Sequence, residues 1–243
     1  GAFTIDRLPE TVLEFSEAVI GLGLVALLIS YLPTMYAAFS KRETLVTLLE
    51  VRADSPPSAI TLIVRAHNIR GLDYLKELWV QWEVWFAELD ESHTSLGALN
   101  FFRSPQADRS WITAAGTILD AAALVYSVVD TPRTAESQLC LRAGYVALRH
   151  ISDFLNITYD PDPHYPAHPI SITQQEFDEA CAELAAAGVP LVVNRELAWH
   201  DYAGWRVNYD TVLLELADEL MAPYARWISD RGIQSPQGHK HRR

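Results

Sequence analysis

Carboxylate and imidazole side chains lie close together in three parts of the sequence, and one of these arrangements has a spacing that could bind a metal ion. Asp90 and His93 lie three residues apart near the end of a predicted helix, on one face of it. A di-metal site in a helical bundle needs such a carboxylate-x-x-His pair twice, with two further inward carboxylates. Because no second pair occurs on a helix, the pattern predicts no metal ion and no other cofactor.

The other two arrangements are less suited to chemistry. The segment 159–169 is rich in Pro, Asp and His, and we interpret it as a solvated turn. Its acidic and imidazole side chains are Asp160, Asp162, His164 and His168. His200 and Asp201 are adjacent in a predicted helix, so their side chains point to different faces.

Asp120 is the polar residue whose surroundings matter most, since it lies in an otherwise apolar predicted helix. We expect it to bond to a backbone group or to an arginine rather than to take part in catalysis, because an unpaired buried carboxylate is costly. The sequence has no Gly-rich phosphate loop, no G-x-S-x-G and no H-E-x-x-H motif. We therefore predict no enzyme activity and assign no catalytic residues.

The overall charge restricts the partners of the protein. It has 31 acidic and 19 basic residues, a net charge of -12 at pH 7. This composition argues against a nucleic-acid partner, because phosphate binding requires a basic surface. Arginine far outnumbers lysine, which is typical of a GC-rich bacterium. Cys140 and Cys181 form no C-x-x-C pair, which indicates a reducing compartment and two buried thiols.

Hydrophobic residues recur with helical spacing almost throughout the chain after residue 56. Capping residues mark several helix starts, among them a capping box at Thr173 and Glu176. The predicted helices are 58–69, 72–91, 108–129, 134–155, 173–188 and 194–221. The only short strand candidate is 189–193, and the linker 159–169 is expected to divide the domain into two lobes. The fold class is therefore all-α, with an α-helical bundle.

One segment is suited to cross a membrane. Residues 18–39 contain no charged side chain, and 22 helical residues reach about 33 Å, enough for a hydrocarbon core of about 30 Å. The acidic residues before it and the length of the apolar run argue against a cleaved signal peptide. The alternative is a helix buried in a soluble core. Pro9 and Glu10 suit the first turn of a helix that begins before the membrane and continues past it.

The flanking charges predict the orientation of this segment. Lys41 and Arg42 follow it directly, whereas acidic residues dominate the N-terminal side, so the C-terminal portion should be cytoplasmic and the span should lie in the inner membrane. The predicted organisation is an extracytoplasmic segment 1–17, a transmembrane helix 18–39, a juxtamembrane helix and linker 40–55, a cytoplasmic helical domain 56–228, and a disordered basic tail 229–243.

The stretch LEFSEAVIGLGLVALLISYLPTMYAAFSKRE resembles the inner helix of bacterial pore-loop channels, specifically the two-pore-domain potassium channel family. Such proteins have an acidic segment, a Gly-containing inner helix, a kink and a basic juxtamembrane run. The matching residues here are Glu14, Glu17, Gly21, Gly23, Pro33, Lys41 and Arg42. The resemblance covers residues 8–52 and implies a homo-oligomer, a tetramer, in the lipid bilayer. The T-x-G-Y/F-G filter is not in this sequence, so the resemblance places it, with an outer helix, upstream of Gly1.

The resemblance also implies which residues line or gate the pore. The candidates are Gly21, Gly23, Ser30, Pro33 and Thr34. Ser30 and Thr34 are four residues apart and share a helix face that could line a cavity with hydroxyls. We favour the alternative that each hydroxyl bonds back to a carbonyl one turn earlier.

Three functions are compatible with these patterns. The first is the C-terminal part of a bacterial ion-channel-like membrane protein, in which the helix contributes to or supports a pore and the helical domain assembles or regulates it. The second is a membrane-anchored sensor or scaffold whose domain binds a protein or a small ligand. The third is an enzyme that uses Asp90, His93 or the His-rich segment, and we rank it last.

Overall fold

The computed structural model describes residues 8–231, and this part of the chain is helical without a β-strand. The all-α class is therefore confirmed. The described residues form two compact units, 8–41 and 42–231. We call the second unit the helical domain. The first and last predicted segments lie partly outside the described range, at residues 1–7 and 232–243.

The first helix contributes residues to both units. Helix α1 is Leu8–Ala53, with Pro9 and Glu10 in its first turn, as the sequence predicts. It continues through Pro33. In the helical domain, its buried residues Val46 and Leu49 join the hydrophobic core.

Seven further helices complete the domain, and most follow the predicted boundaries. They are α2 Ala59–Ile69, α3 Leu75–Ser95, α4 Trp111–Ser127, α5 Ala135–Phe154, α6 Gln174–Ala186, α7 Arg195–Arg206 and α8 Asp210–Glu219. Short 3-10 helices precede and follow α3, at Leu72–Tyr74 and Gly97–Phe101. Thr173 and Glu176 form the predicted capping box of α6, because each side chain bonds to the backbone N–H of the other.

Helix α4 is the centre of the domain. All of its side chains except Tyr126 are buried, and it packs against α2, α5, α7 and α8. Helices α3 and α5 form the most extensive pair. Gly144 of α5 permits close packing, because a Cβ there would meet Leu119 at 2.5 Å and Phe86 at 2.9 Å. The core thus depends on side chains that fit closely between three helices.

The prediction of two lobes separated by residues 159–169 is wrong. Helix α6 packs against α2, while α7 and α8 pack against α4, so elements from both sides of the segment share one core. Cys140 and Cys181 are free, buried thiols within it. Burial raises the pKa of Cys181 to about 11, so this thiol stays protonated at neutral pH.

Two further predictions need correction. The helix expected over 194–221 is two helices, α7 and α8, with a turn at residues 207–209. The carbonyl of Asn208 accepts a hydrogen bond from Arg149 Nε at 3.1 Å, which stabilises the turn. The strand candidate 189–193 forms only an isolated bridge, between Leu191 and Val129.

Candidate functional site

The apolar part of α1 is exposed on every side. Each residue from 18 to 34 has an exposed side chain, which amounts to nearly five helical turns without a buried face. A helix packed in a soluble core would bury at least one stripe of these side chains. The segment is long and apolar enough to cross a membrane.

The five residues proposed to line or gate a pore all lie on this exposed segment. A Cβ at Gly21 or Gly23 would meet no atom within 4 Å. Ser30 donates from Oγ to the carbonyl of Leu27 at 3.0 Å, and Thr34 donates to the carbonyl of Ser30 at 3.4 Å. The favoured interpretation of these two hydroxyls is confirmed, since both bond back within the helix. A pore-lining role for the five residues stays a prediction.

Arg42, one of the two basic residues that follow the apolar segment, is buried at the start of the helical domain. Its Nη1 donates to His93 Nε2 at 3.1 Å and to the carbonyl of Leu99 at 3.0 Å. Its Nη2 donates to the carbonyl of Phe102 at 2.7 Å, and its Nε donates to Glu43 Oε1 at 2.9 Å. Burial lowers the pKa of Arg42, and the carboxylate of Glu43 opposes this effect. Arg42 therefore fastens α1 to the segment that follows α3.

The contact with Arg42 determines the tautomer of His93. Because a guanidinium only donates, His93 Nε2 must accept, and the proton of the neutral ring lies on Nδ1. Nδ1 then donates to the carbonyl of Leu89 at 3.0 Å. Burial, followed by the charge of Arg42, lowers the pKa of His93 to about 3. His93 is thus a neutral structural group at physiological pH.

The structure does not bring Asp90 and His93 to a common site. Asp90 Oδ2 bonds instead to Nδ1 of His150 at 2.8 Å, on the exposed side of α3. Among the described residues, no group of three or more His, Cys, Asp or Glu side chains has the geometry to hold a metal ion.

The other histidine-containing candidates are also separated. In the 159–169 segment, exposed pairs form between His164 and Asp162 at 3.2 Å and between His168 and Asp160 at 3.0 Å. Asp201 pairs with Arg133 rather than with its neighbour His200. These contacts are those of a solvated surface.

Asp120 has the arginine partner that the sequence analysis expected. Its Oδ1 accepts from Arg206 Nη1 at 2.5 Å and from the hydroxyl of Tyr209 at 2.9 Å, in the interior of the domain. Arg206 also donates from Nε to Asp210 at 2.6 Å and from Nη2 to the carbonyl of Trp227 at 2.7 Å. One buried guanidinium therefore joins α4, α7, α8 and the C-terminal segment.

The charges of this cluster depend on one another. Burial raises the pKa of Asp120, although Arg206 and Tyr209 oppose the rise. Burial also disfavours the charge of Arg206, but Asp120 and Asp210 outweigh it and hold its pKa well above the ordinary value. The backbone N–H and the hydroxyl of Ser171 donate to Asp210, each at 2.7 Å. The cluster is an internal support of the helical domain.

Sequence reasoning missed Arg206 and the burial of Arg42. A partial signal was present, because Arg206 precedes Asp210 by four residues and Asp120 needed a basic partner. For Arg42 the sequence offered no such signal, since a basic residue after an apolar span is normally solvated.

Two of the surface cavities that the described residues line lie in the helical domain. One, of about 370 Å³, lies between the segment 100–112 and residues 219–223 at the end of α8. The other, of about 260 Å³, lies between the end of α1, α2 and the start of α3. Comparison of the chain with protein-family models, with curated proteins and with solved structures gave no match.

Proposed function

We propose that this protein is the C-terminal part of a bacterial ion-channel-like integral membrane protein. In this proposal residues 18–39 cross the inner membrane and contribute to or support a pore, and the helical domain lies in the cytoplasm, where it assembles or regulates the channel. The observation that carries the proposal is the exposure of apolar side chains around the full circumference of α1 from residue 18 to residue 34. Such a surface is stable in lipid or against other apolar helices.

Two further features support the proposal. Helix α1 continues past the apolar segment to Ala53, so the same helix supplies core residues to the domain. Gly21 and Gly23 leave open space on the exposed segment, which permits the close approach of other helices. Together with the resemblance to pore-loop channels, these features support a homo-oligomer, which we propose to be a tetramer.

Two arginines placed in the middle of the apolar segment should remove the protein from the membrane. The ten Leu, Ile, Val and Phe residues of 18–39 favour insertion by roughly 3–6 kcal/mol, and each central arginine costs about 3 kcal/mol. We expect the intact protein to stay in the membrane pellet after alkaline carbonate extraction and the Leu24→Arg/Leu28→Arg variant to leave it. Val193→Arg is the matched control, because Val193 is 98% exposed in the helical domain. Equal retention of all three proteins would contradict a membrane span at 18–39.

A potassium-flux assay tests the channel function itself. We expect vesicles that contain the intact gene product to release a potassium load faster than protein-free vesicles. Vesicles prepared with the Leu24→Arg/Leu28→Arg variant should show only the background leak. Correct insertion of the unmodified protein without ion release would reject the pore. That result would leave the membrane-anchored sensor or scaffold, which the cavities of about 370 and 260 Å³ favour as the second function.

A further inference from the structure

The cavity of about 260 Å³ in the helical domain is a groove with an apolar floor and a basic rim. Its floor consists of Leu62, Leu75 and Leu78, which are buried. Arg52, Arg65 and Arg70 surround it, and none of the described residues that line the groove is acidic. This lining contrasts with the net charge of -12 of the whole chain.

Two of the three arginines contact the same tyrosine side chain. Arg52 donates from Nη2 to the hydroxyl of Tyr74 at 3.2 Å, and the guanidinium carbon of Arg70 lies 4.8 Å from the centre of the Tyr74 ring. Because both guanidinium groups contact Tyr74, an anion bound beside this ring would be attracted by both positive charges.

The charges of Arg52 and Arg70 are available to a ligand. Arg65 forms an ion pair with Asp54, so its charge is compensated within the domain. Among residues 8–231, neither Arg52 nor Arg70 forms an ion pair with a carboxylate. Guanidinium groups of this kind match the geometry of a carboxylate or a phosphate.

The apolar side of the groove extends to the surface. Val51 and Ile69 line it and are 75% and 76% exposed, respectively. An occupant with an alkyl chain would cover these side chains together with the leucine floor, and each buried methylene would contribute about 0.8 kcal/mol. The groove therefore combines a paired cationic site with an adjoining apolar surface.

We propose that this groove binds a single-chain anionic amphiphile of the fatty-acid type. The carboxylate lies between Arg52 and Arg70, and the alkyl chain lies on Leu62, Leu75 and Leu78. The volume of about 260 Å³ is below the range of about 300–1,000 Å³ that is usual for drug-sized ligands, which favours one short chain over a two-chain lipid. This inference does not depend on whether the protein conducts ions.

Octanoate binding to the full chain tests the inference. The protein is placed in phosphatidylcholine nanodiscs, and the heat of octanoate binding is measured by titration calorimetry with protein-free nanodiscs subtracted. We expect saturable binding of octanoate and at least tenfold weaker binding of 1-octanol, octylammonium and acetate. Equal binding of 1-octanol would overturn the role of the arginines, and equal binding of acetate would overturn that of the apolar floor.

Variants of the rim distinguish this groove from other sites. Arg52→Gln/Arg70→Gln should weaken octanoate binding at least tenfold, whereas Arg142→Gln, an exposed arginine on α5, should leave it unchanged. Ile69→Glu provides a second test, because this side chain is exposed and its replacement should not affect folding. We expect the Ile69→Glu variant to bind octanoate more weakly as well. Unchanged octanoate affinity in both the Arg52→Gln/Arg70→Gln variant and the Ile69→Glu variant would refute the proposal. Loss of binding when phosphatidylglycerol replaces phosphatidylcholine would also refute it, since a bilayer lipid would then occupy the groove.

Discussion

Replacing Arg206 with methionine is expected to lower the free energy of unfolding of the helical domain by about 3–5 kcal/mol, the usual cost of breaking a buried ion pair by removing one partner. Domains of this kind are stable by only about 5–15 kcal/mol, so the variant should be partly unfolded or unstable in cells. The physical reason is that Asp120 and Asp210 would remain buried without the guanidinium that compensates them. The measurement is chemical unfolding of the intact protein in detergent, followed by tryptophan fluorescence.

A second substitution separates the charge effect from the loss of packing. Asp120→Asn removes one of the uncompensated charges, so it should cost less in the Arg206→Met background than in the unmodified protein. The coupling energy from this double-mutant cycle is expected to be about 0.5–3 kcal/mol. Arg142→Met is the matched control, since an exposed arginine on α5 should change stability by no more than about 0.5 kcal/mol. A cost for Arg206→Met no greater than that of the control would show that the cluster is not needed.

The second large effect is a loss of stability in mild acid that depends on His93. The pKa of His93 is about 3 in the folded protein and about 6.5 when the chain is unfolded. Between these values the unfolded chain binds a proton that the folded chain does not. Stability should therefore fall as the pH decreases from about 6.5 towards 3, by up to about 1.4 kcal/mol per pH unit from this residue.

His93→Gln isolates this contribution from that of the carboxylates. The glutamine amide can accept the hydrogen bond from Arg42 but does not titrate, so the variant should lose less stability than the unmodified protein between pH 6 and pH 4. His150→Gln is the control, because this histidine is exposed and its substitution should leave most of the pH dependence in place. The unfolding free energy of the three proteins at several pH values provides the comparison. Parallel pH profiles for the His93→Gln variant and the unmodified protein would contradict the assignment.

Local signals accounted for most of the secondary structure. Ser58 and Ser110 accept hydrogen bonds from the backbone of the first helical turn, as do Thr173 and Asn194, and each marks a helix start that the sequence predicts. These contacts connect residues two or three positions apart, so they depend little on the rest of the fold. The apolar segment of α1 could also be predicted from the sequence, because its length and composition alone define it.

Structural features that depend on contacts between distant residues could not be predicted from local sequence signals. The turn between α7 and α8 contains neither Gly nor Pro, and its bonds reach Arg149 and Asp120 in other helices. The prediction that residues 159–169 divide the domain was wrong for the same reason. The shared core forms only because α6, on one side of this segment, packs against α2, on the other side.

The sequence alone determined the helical class, the capped helix starts, the apolar N-terminal helix and the need of Asp120 for a partner. Only the tertiary structure decided that this partner is Arg206, 86 residues away, and that Arg42 lies buried against His93, 51 residues away. It also decided that Arg52 and Arg70 both contact Tyr74. The physical reason is that capping and hydrophobic spacing act between neighbours in the chain. The burial and pairing of a charge depend instead on which distant helices pack around it.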